Sequence, residues 1–347
     1  MEQPALLSII RTETNYRFRL DLPDGPTGQE YSTDLTPDQR ERLRRALHTV
    51  VQAGQTGDGR RQTAKPGPTN DALLSLGRFL FDSLLPAPLQ EMVRRLDSAL
   101  LISTNTPDIP WELLFDNNNK SRRYLCQALS VGRSLLQDRE STQRAASLDR
   151  VTRNKANKRD TQGLSVLFLV NPTSDRPGAE EEVASLCTGL PESVTRIILY
   201  RQQANQLEMR VRMSTDAPHV LHYAGPMPVM NSNDEPALAL GGNARLDGAA
   251  LEQLFQGLPK HPLVFLSYHE EERPTRAATG MLTNGQDRDE RAEQLAGAIL
   301  AAGAGAVVIE RWPIPAARAR EFMMLFYQDI ADGVAVGESV TAVRVSP

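Results

Sequence analysis

A chain of 347 residues, 40% hydrophobic and 24% charged, is long enough for one large α/β domain or two ordinary ones. With Gly and Pro at only 23 each, collagen-like, coiled-coil and wholly disordered classes are excluded. Lys+Arg 39 against Asp+Glu 43 gives a formal charge of -4, which argues against broad nucleic-acid or anionic-membrane binding.

In chain order, ALLSII (5–10) and YRFRLDL (16–22) read as a strand pair joined by the polar RTETN. Thr36-Pro37-Asp38 supplies a cap, a first-turn proline and an early acid, and Leu43, Ala46, Leu47, Val50 and Val51 follow at helical spacing. Residues 54–70 read as a polar Gly/Pro loop. A second helix carries Leu73, Leu74, Leu76, Leu80, Phe81 and Leu84 up to Pro86; a third, 88–98, leads into the strand ALLIST (99–104). YLCQALSVG (124–132) is also strand-like. Residues 139–163 are polar, largely basic and poor in apolar side chains, which predicts an exposed linker or loop.

From Gly163 the pattern becomes regular. LSVLFLV, SVTRIILY, HVLHYAG, LVFLSY and AVVIERW have strand length, and helical runs at 179–190, 204–213, 248–258, 291–302 and 315–332 alternate with them. Strands apolar throughout predict a mostly parallel sheet covered on both faces, a three-layer α/β/α sandwich. The expected division is therefore an α+β extension over 1–138, a linker over 139–163 and the α/β core over 164–347. Any site is expected at the carboxyl ends of the strands.

Two cysteines, Cys126 and Cys187, support neither a disulfide framework nor a Cys-rich zinc site, and a reducing, cytoplasmic setting is expected. MEQPALLSII lacks a basic n-region and a long apolar core, so no signal peptide is expected. The longest apolar stretch, Leu295 to Ile309, is interrupted at Gly303 and Gly305 and falls short of the roughly 20 residues that a membrane span needs, so a soluble protein is expected. NPTSDRPGAEEE has one Gly before its helix and is no phosphate loop, GGN at 241–243 reads as a hairpin or turn, and no HExxH or GxSxG is present. No cofactor is expected.

The order of HVLHYAG and LVFLSYHE on successive strands resembles the CHAT family of caspase-like proteins. The likeness continues through LAGAILAAGAGAVVIERWPIPAARAREFMMLFYQDIADGVAVGESV, with its strand ending in Trp312-Pro313. Upstream it takes in GRFLFDSLLP, DIPWELLFD with Pro110, Trp111 and Glu112, and VGRSLL. The resemblance implies a caspase-like fold and a clan of cysteine peptidases that use a His–Cys dyad, with thiolate as nucleophile and imidazole moving the protons. It implies a Gly-His-Gly where this chain has Gly225-Pro226-Met227, and a Leu-Ser-Ala-Cys-Glu where it has Leu266-Ser267-Tyr268-His269-Glu270. Pro226 thus stands at the base position and His269 at the nucleophile position, and the expectation is a pseudopeptidase.

His222, Tyr223, Pro226, Tyr268, His269 and Glu270 are the candidate cleft residues. For His222 two readings stand, a buried histidine bonded to backbone and a ligand or effector group; a metal shared with His269 is a weak third, and no metal site is expected. Trp111 and Trp312 are expected to pack. The leading expectation is an inactive CHAT protein that binds, regulates or scaffolds. Its partner would be a peptidase, helical-repeat or NTPase protein in a bacterial conflict or defence system. Altered chemistry through His222, Tyr268 or His269, and a small-ligand sensor using the same cleft, are the alternatives.

Overall fold

β1 (Ala5–Arg11) and β2 (Asn15–Asp21) form the expected antiparallel pair. Leu7, Ile9, Phe18 and Leu20 alternate onto one buried face. A polar edge strand that the sequence reading passed over, β3 (Glu30–Asp34), adds to β2. The computed structural model describes residues 3–13, 15–23, 25–55, 68–97, 99–106, 108–117, 123–135, 163–231, 233–268, 285–310 and 316–345. They fall into two units, Met1–Ala145 with Val334–Pro347, and Ala146–Gly333.

In the first unit, α1 (Pro37–Gln55) starts where Thr36 predicts. The Gln39 N–H donates to Thr36 Oγ1 at 3.2 Å and the Thr36 N–H to Gln39 Oε1 at 2.9 Å, satisfying two amides that the first turn leaves without helical partners. α2 (Pro68–Phe79) widens into a π-helical turn over Leu80–Leu84 before Pro86 ends it, and α3 (Ala87–Arg94) follows. β4 (Leu100–Thr104) lies parallel to β1, giving the sheet order β3-β2-β1-β4-β5 once β5 (Val131–Leu135) is in place. The strand expected over YLCQALSVG is corrected in its first half. Leu125–Ala128 is a single helical turn, α4, held by the Tyr124 N–H bond to Gln127 Oε1 at 3.2 Å.

Trp111 opens a 3-10 turn, Trp111–Leu113, and packs as expected. Its fully buried ring stands edge-on to Phe18 and Tyr16, with centroids 5.9 and 6.1 Å away. Its Nε1–H donates to Thr106 Oγ1 at 2.9 Å, and that hydroxyl shares a 2.7 Å bond with Thr104. Glu112 pairs with Arg133 of β5, whose guanidinium also donates to the Ile109 carbonyl. Trp312 and Pro313 lie outside the described residues.

Among the described residues the second unit carries five parallel strands: β6 (Ser165–Val170), β7 (Thr195–Tyr200), β8 (Val220–Gly225), β12 (Leu263–Tyr268) and β13 (Ala306–Ile309). Their order is β13-β12-β8-β6-β7. Between them run α5 (Pro177–Gly189), α6 (Gln206–Thr215), α7 (Gly248–Phe255), α8 (Gly285–Ala301) and α9 (Ala316–Ala331). One face buries Leu167, Leu221, Val264 and Leu266 against Met209 of α6, Leu251 of α7 and Leu295 of α8. The other carries Phe168, His222 and Phe265 in ring contact with Phe326 and Tyr327 of α9. The fold is α/β with a mostly parallel central sheet, as expected. The segment after β8 folds into a small antiparallel meander, β9 (Val229–Met230), β10 (Pro236–Ala239) and β11 (Arg245–Leu246). GGN turns the chain between β10 and β11, with Gly242 at φ 72°.

The last helix, α10 (Val336–Val345), groups with the first unit. Thr341 Oγ1 donates to the Leu129 carbonyl at 3.2 Å and Gln127 Nε2 to the Arg344 carbonyl at 3.4 Å. The core expected to run to 347 therefore stops at Gly333, because residues beyond it satisfy the turn between α4 and β5. The expected linker, 139–163, lies outside the described residues except for Gly163.

Gly77 lets α2 approach the Trp111 turn. A Cβ there would stand 2.3 Å from the Leu113 carbonyl oxygen and 2.9 Å from Phe115 Cβ, and the Phe115 N–H donates to the Gly77 carbonyl at 3.1 Å. In an open helix Gly→Ala adds about 1 kcal/mol. Here Gly77→Ala is expected to lower stability by about 1–3 kcal/mol, because backbone must move to admit the methyl. Urea unfolding measures the change; a gain in stability contradicts the close approach.

Candidate functional site at the carboxyl edge of the parallel sheet

The chain leaves β6 for β7 on one side and returns to place β8 on the other, which opens a crevice at the carboxyl ends of β6 and β8. Parallel pairing sets Val170 beside Ala224 and Gly225 beside Tyr268. The positions that follow these strand ends are 171, 226 and 269. Pairing thus ends β8 and β12 level with each other immediately before the two positions that the sequence singles out as a dyad.

Of those, Pro226 is buried. It has no side-chain proton to give or take, and its carbonyl accepts from the Tyr223 hydroxyl at 3.3 Å. His269 and Glu270 lie outside the described residues. Tyr223 is fully buried on the face of α6, α7 and α8, where its hydroxyl also donates to the Ala239 carbonyl of β10 at 3.2 Å. Burial holds that phenol protonated, raising it far above its ordinary range. Tyr268 is half-buried on the same face. Its hydroxyl is shielded from solvent with no hydrogen-bond partner among the described residues, and burial again pushes the phenol up.

His222 does not face the cleft, which corrects its place among the cleft candidates. It is fully buried between Phe265, 5.0 Å away and nearly parallel, and Phe168, 5.1 Å away, with Tyr327 stacked at 5.8 Å. Its Nδ1 shares a 2.8 Å bond with the Tyr327 hydroxyl, a side-chain partner that the sequence reading of a buried histidine did not anticipate. Among the described residues no group of three or more His, Cys, Asp or Glu is placed to hold a metal ion.

Three polar groups missed by the sequence reading gather below the same edge on the α5–α9 face. The Ser267 hydroxyl of β12 donates to Glu182 Oε1 of α5 at 2.8 Å, and both residues are buried. Glu310 follows β13, and burial pushes its carboxyl up to about 8, with the charge of Glu182 adding to the rise. The signal for Glu182 was in the periodicity: Ala179, Glu182, Val183 and Leu186 share the inward stripe of α5.

At the ends of β6 and β7 the backbone is strained. Asn171, Ser174 and Arg201 take φ of 47°, 65° and 52°, a left-handed region that side chains other than Asn and Gly rarely adopt. Asn171 holds the turn. Its N–H donates to the Ala224 carbonyl at 2.8 Å, its Oδ1 accepts the Arg176 N–H at 2.9 Å and its Nδ2 donates to Glu180 at 2.6 Å. Arg201 grips Glu180 with two bonds, which lower the Glu180 carboxyl below its ordinary range.

Neither thiol approaches this edge within its own unit. Cys187 sits near the carboxyl end of α5, close to Arg196 at the start of β7 and so toward the opposite edge; burial pushes its thiol up. Cys126 belongs to α4 of the first unit, where burial also raises the thiol. A raised thiol holds its proton and is a poor nucleophile.

A family model described as CHAT domain matches residues 74–346, from α2 through α10. No curated protein matches the chain.

Glu310 makes stability depend on pH with a defined sign. Its folded value lies above the ordinary carboxyl value, so the folded chain keeps a proton that the unfolded chain releases, and stability is lost as pH rises from about 4.5 to about 8. Glu310→Gln removes that loss. Its advantage in unfolding free energy is expected to grow across this range to about 2 kcal/mol and then level off. Thermal unfolding at pH 5, 7 and 9 measures it; an advantage independent of pH contradicts the buried carboxyl.

Proposed function

The chain belongs to the CHAT domain family, the caspase-like group of peptidase-related domains, and from that premise we propose that it is a catalytically inactive member that works by binding. The observation that carries the reading is at the paired strand ends. Position 226, after Gly225, is a buried proline, and position 269, after Tyr268, is a histidine. A cysteine-peptidase dyad needs an imidazole at the first and a sulfur at the second. Both cysteines belong to other elements, with thiols held protonated by burial. Altered chemistry through His222 loses support from the closure of its ring inside the aromatic layer.

What the edge offers instead is a fixed surface. Asn171 and Glu180 lock the turn after β6, and Tyr223 ties the end of β8 to the meander that follows it. Rigid loops on a packed sheet suit recognition of a protein partner. In this reading the chain regulates or scaffolds a peptidase, helical-repeat or NTPase protein of a bacterial defence system.

Purified chain incubated with unfolded protein substrates and a peptide library is expected to release no fragments by mass spectrometry. Cleavage that disappears in Cys126→Ala, Cys187→Ala or His269→Ala overturns the reading. Co-purification with the products of neighbouring genes is expected to yield a stable complex, weakened about tenfold or more by Met227→Arg in the loop after Pro226, with an unchanged unfolding temperature.

A further inference from the structure

The first unit holds a cavity of about 70 Å³ formed by the π-helical turn, α3, α4 and the segments around Leu114 and Arg123. Phe81, Val93, Leu125 and Leu129 belong to its apolar wall, and its charged lining among the described residues is Arg94, Asp116 and Arg123. The π-helical turn that presents Phe81 is pinned from α3. Leu85 N–H reaches back to the Leu80 carbonyl at 3.2 Å, and Gln90 Nε2 donates to the Phe81 and Leu85 carbonyls at 2.9 and 2.8 Å. Widened turns of this kind are rare and gather at functional sites.

The polar part of the lining is equally fixed. The Arg94 guanidinium lies over the Phe81 ring, 5.3 Å from its centroid. Its Nε donates to Asp116 Oδ2 at 2.8 Å and its Nη2 to Oδ1 at 3.3 Å, on a carboxylate whose side chain is only 7% exposed. A buried ion pair adds little stability of its own against the cost of desolvating it, so packing alone does not account for one set in a cavity wall.

The charges decide which guest fits. Both Asp116 oxygens already accept from Arg94, and the remaining Arg94 nitrogen reaches Glu91 Oε2 at 3.4 Å. Arg123 differs: it is exposed, lines the same cavity, and makes no hydrogen bond or ion pair among the described residues. The lining therefore carries one positive charge in excess, on a planar fork whose donors match a carboxylate. Volume sets the length of the apolar part. A cavity of about 150 Å³ takes benzene, so about half of that holds a chain of roughly four carbons.

We propose that this cavity binds a short aliphatic carboxylate, its chain against Phe81, Val93, Leu125 and Leu129 and its carboxylate on the Arg123 guanidinium. The site lies within the first unit and does not rest on the inactivity proposed above.

The test follows the leucine methyl signals of the isotope-labelled full chain by NMR as pentanoate is added. Leu125 and Leu129 are expected to shift and saturate with a Kd of about 1 mM. Pentan-1-ol and pentylamine, which keep the chain and lose the negative charge, are expected to bind about tenfold more weakly or worse. Arg123→Gln changes an exposed side chain and leaves the wall intact. It is expected to weaken pentanoate about tenfold while leaving pentan-1-ol unchanged. Arg95→Gln, which removes an exposed guanidinium outside the cavity, is expected to leave both affinities as they were. Three results overturn the proposal: no saturable shift at Leu125 and Leu129, pentylamine binding as tightly as pentanoate, or an equal loss of pentanoate affinity in both variants. Undiminished pentanoate binding in Arg123→Gln does so as well.

Discussion

One buried hydrogen bond sets the frame of the second unit: His222 Nδ1 to the Tyr327 hydroxyl, made inside a layer of phenyl rings. An imidazole without a partner in such surroundings is costly, so the bond constrains where α9 can lie. With α9 fixed, Phe326 packs on Phe265 and Tyr327 on Phe168, which settles one entire face of the sheet. The strand ends that carry the candidate site take their level from the pairing of β8 with β12, in which His222 lies opposite Phe265.

Polar groups at the carboxyl edge differ in how they are stabilised. Glu180 is paired with the two-bonded Arg201 and accepts a further hydrogen bond from Asn171 Nδ2, so its carboxyl stays charged. Glu182 and Glu310 lie deeper, with a serine hydroxyl on one and a retained proton on the other. Two nearby carboxylates in a dry setting disfavour double ionisation. A caspase-like scaffold thus keeps, beneath its strand ends, one carboxyl that retains its proton and a second that accepts from a serine hydroxyl.

Much of this was legible in the amino-acid order. The five parallel strands announce themselves because both faces of the sheet are covered and nearly every residue of SVLFLV or VLHYAG is apolar. β3 escaped notice because EYSTD alternates without a large apolar residue inward. The meander escaped because strands of two to four residues give no usable period. Glu182 could have been found from its helical stripe. The partner of His222 could not, since Tyr327 lies 105 residues further along the chain and only the packed fold brings the two together. Likewise the Trp111 turn and Gly77 read as separate family segments, and only their contact explains why α2 carries a glycine.

The return of α10 to the first unit makes the second unit an insertion within the first. During synthesis, β5 leaves the ribosome long before the helix that packs on it. At about 5–20 residues per second the interval is on the order of tens of seconds. The nascent first unit spends that time with the turn between α4 and β5 uncovered, while the inserted sheet is free to fold as soon as its own strands emerge. The order of emergence thus finishes the amino-terminal unit only after the inserted sheet has been made.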